Sequence, residues 1–258
     1  MTDCISACIT AGNEEKNIRR CLESVVWADE IVVVDSFSTD RTVEICREYT
    51  DRVYQHEWLG YIGQKNLIKD MASCPWVLFI DADEEVSPAL RDEIAAAFSS
   101  GTHAKYAGYQ FPRMVYYLGR WIQHGDWYPD IKLRLFRKER GTCGGHEPHD
   151  RTTVDGQVRT LKSPIYHYTY EGIRDQLATI NRFSTITAES KFSDGQQFHV
   201  GDLVFRPIVR FMRSYLLRAG FLDGLPGLVV SGTISYGVFV KYAKLWELYH
   251  RAKQRKDS

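Results

Sequence analysis

Two runs of consecutive apolar residues constrain the fold more than any other feature of the sequence. Residues 31–34 read Ile-Val-Val-Val and residues 76–80 read Trp-Val-Leu-Phe-Ile. Strands without alternation of apolar and polar residues are typical of parallel sheets that helices cover on both faces. Apolar residues before the first run recur at helical spacing, at Ile18, Cys21, Leu22, Val25 and Val26. The first hundred residues therefore predict alternating strands and helices in a doubly wound α/β sheet.

The pattern changes after Tyr106, and this change divides the chain. Residues 109–115, 132–137 and 165–168 are typical of strands, residues 119–129 of an aromatic, glycine-rich loop, and residues 173–190 of a helix. We therefore expect a domain over 1–200, with a nucleotide-binding half (1–100) and an acceptor or catalytic half (101–200). Residues 201–258 are expected to form a basic, amphipathic helical tail.

Charge is unevenly distributed along the chain. Lys plus Arg and Asp plus Glu both number 33, which gives no indication of a nucleic-acid partner. The tail, however, holds ten Lys and Arg against four Asp and Glu, a net charge of +6. Around residues 205–217, apolar side chains interleave with Arg206, Arg210, Arg213 and Arg218. This pattern fits either a helix lying in the plane of an anionic membrane or a packed helix with solvated arginines.

The cysteines and the N-terminal residues indicate in which cellular compartment the protein works. Six cysteines (Cys4, Cys8, Cys21, Cys46, Cys74 and Cys143) are scattered without a C-x-x-C pair, which predicts buried thiols and neither a disulfide framework nor a zinc site. No signal-peptide pattern follows Met1. We therefore expect a cytoplasmic protein.

Polar groups follow three of the predicted strands. Asp81-Ala82-Asp83 comes directly after a buried strand, and two carboxylates at this spacing can hold Mg²⁺ or Mn²⁺. Asp35 ends another buried strand, where it can accept hydrogen bonds from a base or a ribose. Thr10, Asn13 and Glu14 lie at the end of a first predicted strand, residues 5–10. Such convergence at strand ends predicts a nucleotide pocket.

An ordered set of motifs spans nearly the full chain. Its pieces are Thr10-Ala11-Gly12-Asn13-Glu14-Glu15, Val33-Val34-Asp35-Ser36, Gln64-Lys65-Asn66, Asp81-Ala82-Asp83-Glu84, Trp127-Tyr128-Pro129-Asp130, Arg134-Leu135-Phe136, His146-Glu147, His167-Tyr168 and Tyr215-Leu216-Leu217-Arg218-Ala219-Gly220-Phe221-Leu222-Asp223-Gly224. The set resembles the inverting family-2 glycosyltransferases with a GT-A fold, and within them the subgroup that adds a sugar, often glucose, to the lipopolysaccharide inner core. Ser36-Phe37 departs from the Asp-Gly that many relatives carry, so Asp35 would act on the nucleotide without a second aspartate beside it.

The resemblance implies a role for each matching residue. A GT-A-type, mostly parallel sheet with an inserted mixed β region would bind a nucleotide-sugar donor, expected to be a UDP-hexose. The residues implied at the nucleotide are Thr10, Asn13, Glu14, Asp35, Lys65, Asn66 and Arg134, the last near the pyrophosphate. Asp81 and Asp83 would hold the divalent cation. His167 is a further candidate metal ligand, a phosphate donor or a core histidine.

An inverting transfer needs one base that takes the proton of the acceptor hydroxyl. Glu147, between glycines and a proline, is our first candidate, with Asp130 second and Asp150 third. The resemblance implies a metal-dependent bacterial enzyme of the cell envelope, peripheral on the inner face of the cytoplasmic membrane. Its acceptor would be a lipid-linked saccharide. The alternatives are transfer to a polyprenyl phosphate, and a non-catalytic scaffold that binds a nucleotide or a glycan.

Overall fold

The computed structural model describes residues 3–146 and 149–257, without the side chains of residues 146, 149, 150 and 255–257. These residues form two compact units. The first lies within Met1–Met114 and Asp130–Tyr168, and the second within Val115–Pro129 and Thr169–Ser258. The predicted division after residue 200 stays a prediction.

The first unit begins with the alternation that the sequence predicts. Its elements are β1 (Ile5–Ala11), α1 (Ile18–Glu23), β2 (Glu30–Asp35), α2 (Thr42–Arg47), β3 (Val53–Gln55), α3 (Gly60–Met71), β4 (Trp76–Asp81), β5 (Glu84–Val86), α4 (Pro88–Ser99) and β6 (Gly108–Tyr117, of which the last three residues belong to the second unit). After a short strand of the second unit, β7 (Arg120–Ile122), come β8 (Asp130–Arg137), β9 (Gly141–His146), β10 (His149–Val154), β11 (Val158–Thr160) and β12 (Ile165–His167).

The main sheet has the strand order β3-β2-β1-β4-β8-β6-β12-β5. Strands β3, β2, β1 and β4 are parallel, whereas β8 runs antiparallel to both β4 and β6. Helices cover both faces, since Ile9 belongs to a core cluster with α1, α2 and α4 and its neighbour Cys8 packs with Ile68 of α3. The predicted fold class, a mostly parallel α/β sheet with an inserted mixed β region, is confirmed.

Two local predictions are wrong. Helix α1 ends at Glu23, so Val26 leaves the apolar stripe and is exposed, although Val25 is buried. Cys4 and Cys74 form a disulfide, whereas Cys8, Cys21, Cys46 and Cys143 are buried free thiols. The pairing was hidden in the sequence because 70 residues separate the two cysteines, which precede the neighbouring strands β1 and β4.

The second unit is largely helical, as predicted for the tail. It contains α5 (Ile173–Ser193), α6 (Val200–Met212), a π turn (Arg213–Leu217), a 3-10 turn (Gly220–Asp223) and α7 (Gly224–Asp257), besides β7, which pairs with the last residues of β6. Its core clusters centre on Val230 and on Tyr242 and Leu245. No helix among the described residues has the length and apolar character that crossing a membrane requires.

Candidate functional site

The carboxyl ends of β1, β2 and β4 lie side by side in the first unit. Backbone pairing places Thr10 beside Asp81 and Ala11 beside Asp35. Because parallel strands end at one edge of the sheet, the polar groups that follow them converge there. Thr10, Asp35 and Asp81 therefore share the edge at which doubly wound sheets bind ligands.

Asp35 is fully buried at this edge and organises the loop that follows it. Its carboxylate accepts hydrogen bonds from the backbone N–H of Ser38 (2.9 Å), from the Ser38 hydroxyl and from Nε2 of Gln55 (3.2 Å). Phe37, at the position where the sequence departs from many relatives, has a φ of 56° and is half exposed. The Phe37 side chain therefore lies at the surface, beside the buried carboxylate of Asp35.

The loop after β1 is tied to the loop after β2. The backbone N–H of Asn13 donates to the Ser38 hydroxyl (2.7 Å), and the Asn13 side chain accepts from the backbone N–H of Thr39 (2.8 Å). The backbone N–H of Glu14 donates to the Thr42 hydroxyl (2.8 Å). Burial raises the pKa of the Glu14 carboxyl despite a hydrogen bond from Asn17, and the charge of Asp83 adds to this rise.

Asp81 lies between two buried cations. Nη2 of Arg134 is 2.6 Å from one oxygen of Asp81, and Nζ of Lys65 is 3.6 Å from the other. Burial alone would raise the pKa of Asp81, but the charges of Arg134 and Lys65 outweigh it and hold the pKa well below its usual range. The sequence assigned Lys65 and Arg134 to the nucleotide and Asp81 to a metal, and the structure joins all three in one ionic cluster.

Glu84 and Arg113 extend this cluster, and sequence reasoning missed both. The Glu84 carboxylate is completely buried, 2.8 Å from Arg134 and 3.6 Å from Arg113, and it accepts a hydrogen bond from the backbone N–H of Asp81. In the sequence Glu84 follows Asp81 and Asp83, and an acidic run of this kind is typical of a solvated turn. The pairing of strands β6 and β8 is what would have identified Arg113, because it places this residue directly opposite Asp130.

Asp130, the second candidate base, is held by two cations. Nη2 of Arg113 lies 2.7 Å and Nζ of Lys132 lies 3.1 Å from its carboxylate. Burial raises the pKa of Asp130, but Arg113 and Lys132 more than offset this and lower it. A carboxylate paired in this way accepts a proton less readily than a carboxylate without a cationic partner.

Asp83 contacts His167, with 3.0 Å between its carboxylate and Nε2 of the imidazole. The Nδ1 atom of His167 is buried and has no hydrogen-bond partner among the described residues. Nε2, which faces the Asp83 carboxylate, and that carboxylate are a nitrogen and an oxygen donor of the kind that binds a divalent cation, whereas Nδ1 points away from Asp83. Across residues 3–146 and 149–257, however, no group of three His, Cys, Asp or Glu side chains is arranged to hold one.

The remaining predicted residues lie around the insertion. The amide of Asn66 donates to the Cys143 carbonyl (2.9 Å) and accepts from its N–H (3.2 Å), so it anchors β9 to α3. Its predicted contact with the nucleotide stays a prediction. Glu147 lies outside the described residues, and so does the side chain of Asp150, whose backbone belongs to β10.

Comparison with known proteins identifies the family. Residues 6–177, about two thirds of the chain, match the family model described as Glycosyl transferase family 2. The chain belongs to glycosyltransferase family 2. Its fold is accordingly the GT-A type expected from the sequence, with a helical C-terminal region.

Several relatives match over most of their length. An uncharacterised glycosyltransferase of Rickettsia typhi is 32% identical, over 95% of this chain and 87% of its own. The lipopolysaccharide core biosynthesis glycosyltransferase LpsC of Rhizobium meliloti is 29% identical, over 97% and 94% of the two chains. This glycosyltransferase is therefore similar to an enzyme of lipopolysaccharide core biosynthesis.

Two solved structures illustrate more distant similarity. S. aureus TarS 1–349 in complex with UDP-GlcNAc matches with a TM-score of 0.48 and 14% identity, over 96% of this chain and 92% of that one. Glucosyl-3-phosphoglycerate synthase from Mycobacterium tuberculosis in complex with Mg²⁺ and UDP matches with a TM-score of 0.47 and 16% identity, over 77% and 81%.

Proposed function

We propose that this family-2 glycosyltransferase is an inverting enzyme that moves a hexose, specifically glucose, from UDP to a lipid-linked saccharide of the lipopolysaccharide inner core. The observation that carries the proposal is the convergence of Asp35, Asp81 and Asp83 beside Lys65 and Arg134 at one sheet edge. The similarity to LpsC over nearly the whole chain supports this choice of acceptor. The enzyme would work on the inner face of the cytoplasmic membrane.

Each polar group at the edge has a task in this proposal. Thr10, Asn13, Glu14 and Asp35 hold the nucleoside, with Asp35 accepting hydrogen bonds from the base or ribose. Lys65, Asn66 and Arg134 lie toward the diphosphate, where the Arg134 guanidinium offers several N–H donors in a fixed plane. For Arg134 to reach phosphate oxygens, it must exchange part of its present contact with Asp81.

Asp83 and His167, with Asp81, are the residues that would hold Mg²⁺ or Mn²⁺. A divalent cation bound there would neutralise the negative charge that develops on the departing diphosphate. The contact between Asp83 and His167 supports this assignment, because it brings an oxygen and a nitrogen ligand together. The pairing of Asp81 with Arg134 and Lys65 makes Asp83 the more available of the two carboxylates.

The transfer itself requires a base at the acceptor. The acceptor oxygen attacks the anomeric carbon from the side opposite UDP, the bond from that carbon to the diphosphate oxygen breaks, and the hydroxyl proton passes to the base. We assign the base to Glu147. The salt bridges of Asp130 with Arg113 and Lys132 lower the pKa of Asp130 and make it the weaker candidate.

A panel of nucleotide-sugars, with and without Mn²⁺, tests the proposal. We expect UDP release from UDP-glucose that needs Mn²⁺ and increases when an inner-core acceptor is added. Increase with a polyprenyl phosphate instead would reassign the acceptor. Nucleotide binding without any release or transfer would show a scaffold, and the proposed activity would be wrong.

A further inference from the structure

The second unit presents a strongly apolar surface to solvent. Six side chains between the middle of α6 and the start of α7 are each more than half exposed, and we call them the apolar face: Phe205, Ile208, Val209, Leu217, Leu222 and Leu225. Exposure reaches 82% at Leu217 and 72% at Leu225. Clustered exposure of large apolar side chains marks interaction sites in monomeric proteins.

The opposite side of the same segment packs on α7, so the apolar face has a fixed outward direction. The hydroxyl of Ser235 donates to the carbonyl of Pro207, and the hydroxyls of Ser214 and Ser231 are hydrogen-bonded at 2.9 Å. Gly220 and Gly227 approach so closely that a Cβ on Gly227 would lie 2.0 Å from the Gly220 carbonyl oxygen. Small and polar residues together with Leu203 thus form the packed side, and the six residues of the apolar face form the exposed side.

A cluster of arginines accompanies the apolar face. Arg210, Arg213 and Arg218 converge on Asp126, whose side chain is only 1% exposed, at 2.7, 3.7 and 3.1 Å. Three cations share one carboxylate, so the cluster has a net positive charge. Their side chains remain 38–46% exposed, which leaves guanidinium N–H groups at the surface. Asp126 therefore orients the arginines without neutralising them.

We propose that the apolar face and the Asp126 arginine cluster together form a docking surface for a bilayer containing anionic phospholipids. The apolar side chains enter the interfacial region of the bilayer, and the guanidinium groups bind headgroup phosphates. Charge complementarity favours anionic phospholipids as the partner, because the arginine cluster has a net positive charge. A second copy bound through the same face would bring two net-cationic clusters onto one symmetric interface, where they repel.

The docking surface deepens the proposed function, which places the acceptor in a membrane, and it bears on the two sequence-based interpretations of the tail. A packed amphipathic helix with solvated arginines would bury Phe205, Ile208 and Val209. In the structure these three side chains are exposed, while Arg206 is solvated and Arg210 pairs with the buried carboxylate of Asp126. Helix α6 packs on α7 through its other side, so both sequence-based interpretations of the tail stay predictions.

Vesicle co-sedimentation of the full chain tests the docking surface without sugar transfer. We expect binding to vesicles of phosphatidylcholine with phosphatidylglycerol, and weaker binding to phosphatidylcholine alone or at high salt. Leu217→Ser with Leu225→Ser should weaken binding by about tenfold or more per residue. The matched control is Val26→Ser with Val158→Ser, which removes two exposed apolar side chains from the first unit and should leave binding unchanged.

The arginine cluster is tested at Arg213, the most distant of the three from Asp126. Arg213→Gln should weaken binding to the anionic vesicles by about fivefold, as expected for one basic side chain near such a surface, and Arg213→Lys should restore it. Unchanged vesicle binding by the Leu217/Leu225 variant would overturn the proposal. A wild-type dimer in light scattering that this variant converts to a monomer, without vesicle binding by either, would show that a second copy covers the face.

These outcomes are separable from those of the proposed function. UDP release from UDP-glucose without vesicles does not involve the apolar face, so the Leu217/Leu225 variant should retain it. Loss of vesicle binding with retained UDP release supports the docking surface alone. Vesicle binding by a wild-type protein that releases no UDP would leave docking supported and the proposed activity wrong.

Discussion

At the scale of single residues, the ionic cluster disfavours Asp130 among the three candidate bases. Asp130 is occupied by Arg113 and Lys132, and Asp81 by Arg134 and Lys65. A carboxylate whose charged form is stabilised in this way is a poor proton acceptor. The proton of the acceptor hydroxyl is therefore expected to go to a carboxylate outside this cluster, which we take to be Glu147.

Glu147→Gln tests this assignment because it removes the proton acceptor and preserves side-chain size. We expect UDP-sugar binding to survive while transfer falls by about 10²–10⁴. Equilibrium binding of UDP and the rate of transfer to the acceptor measure the two effects separately. Full activity of Glu147→Gln, together with inactivity of a folded Asp130→Asn, would move the base to Asp130.

The lowered pKa of Asp130 predicts a pH dependence of stability. Its folded pKa lies below the ordinary value of 3.8, so the stabilisation is fully present above that value and is lost as the pH falls through the folded pKa. Asp130→Asn should lower the free energy of unfolding at neutral pH by about 1–3 kcal/mol, because Arg113 loses its carboxylate partner. Urea unfolding at neutral and acidic pH should also show a smaller acid-induced loss in the variant. An equal acid-induced loss in both proteins would contradict this account.

At the scale of elements, the crossing of the 3-10 turn (Gly220–Asp223) with α7 depends on two glycines. Gly227→Ala would place a Cβ 2.0 Å from the Gly220 carbonyl oxygen and 2.9 Å from Cβ of Asp223, so backbone must shift. We expect a loss of about 2 kcal/mol or more in the free energy of unfolding. Gly232, also on α7, is the control, because its Cβ would meet no atom within 4 Å.

Gly232→Ala should raise the free energy of unfolding by up to about 1 kcal/mol, since alanine is the better helix former. Thermal unfolding of both variants measures the contrast. Equal effects of the two substitutions would show that the glycines do not determine how closely the turn approaches α7.

Local patterns in the sequence were sufficient for some elements and insufficient for others. Ser87 followed by Pro88 is the sequence pattern of a helix start, and at the start of α4 the Ser87 hydroxyl accepts from the backbone N–H of Leu90. The apolar run at residues 76–80 likewise placed Asp81 at the end of a buried strand. Periodicity identified α6 as amphipathic but could not show which side packs on α7, because this depends on small residues far along the chain.

For the candidate site, too, local sequence patterns predicted some features and not others. Strand ends predicted that Thr10, Asp35 and Asp81 converge, because parallel strands share an edge. The partners of Arg134 and Asn66 could not be read from spacing, since Glu84 and Cys143 lie about 50 and 77 residues away along the chain. Long-range pairs of polar side chains leave no period in the sequence, and the same holds for the Cys4–Cys74 disulfide.

At the scale of the whole molecule, family membership and the polar sheet edge lead to one central claim. A divalent cation at Asp83 would assist departure of UDP while the hexose passes to a lipid-linked saccharide. Asp83→Asn removes a negative ligand and preserves side-chain size. Asp92→Asn is a suitable control, because Asp92 is an exposed carboxylate on α4 whose neighbour is Arg91.

Sugar transfer from UDP-glucose to an inner-core acceptor with Mn²⁺, measured for wild type, Asp83→Asn and Asp92→Asn, tests this claim most directly. We predict transfer by wild type and Asp92→Asn, and a loss of about a hundredfold or more in a folded Asp83→Asn, because charge stabilisation by a cation supplies several kcal/mol. Chelation of the metal should reduce wild-type transfer to a similar extent. Near-normal transfer by a well-folded Asp83→Asn would contradict the account.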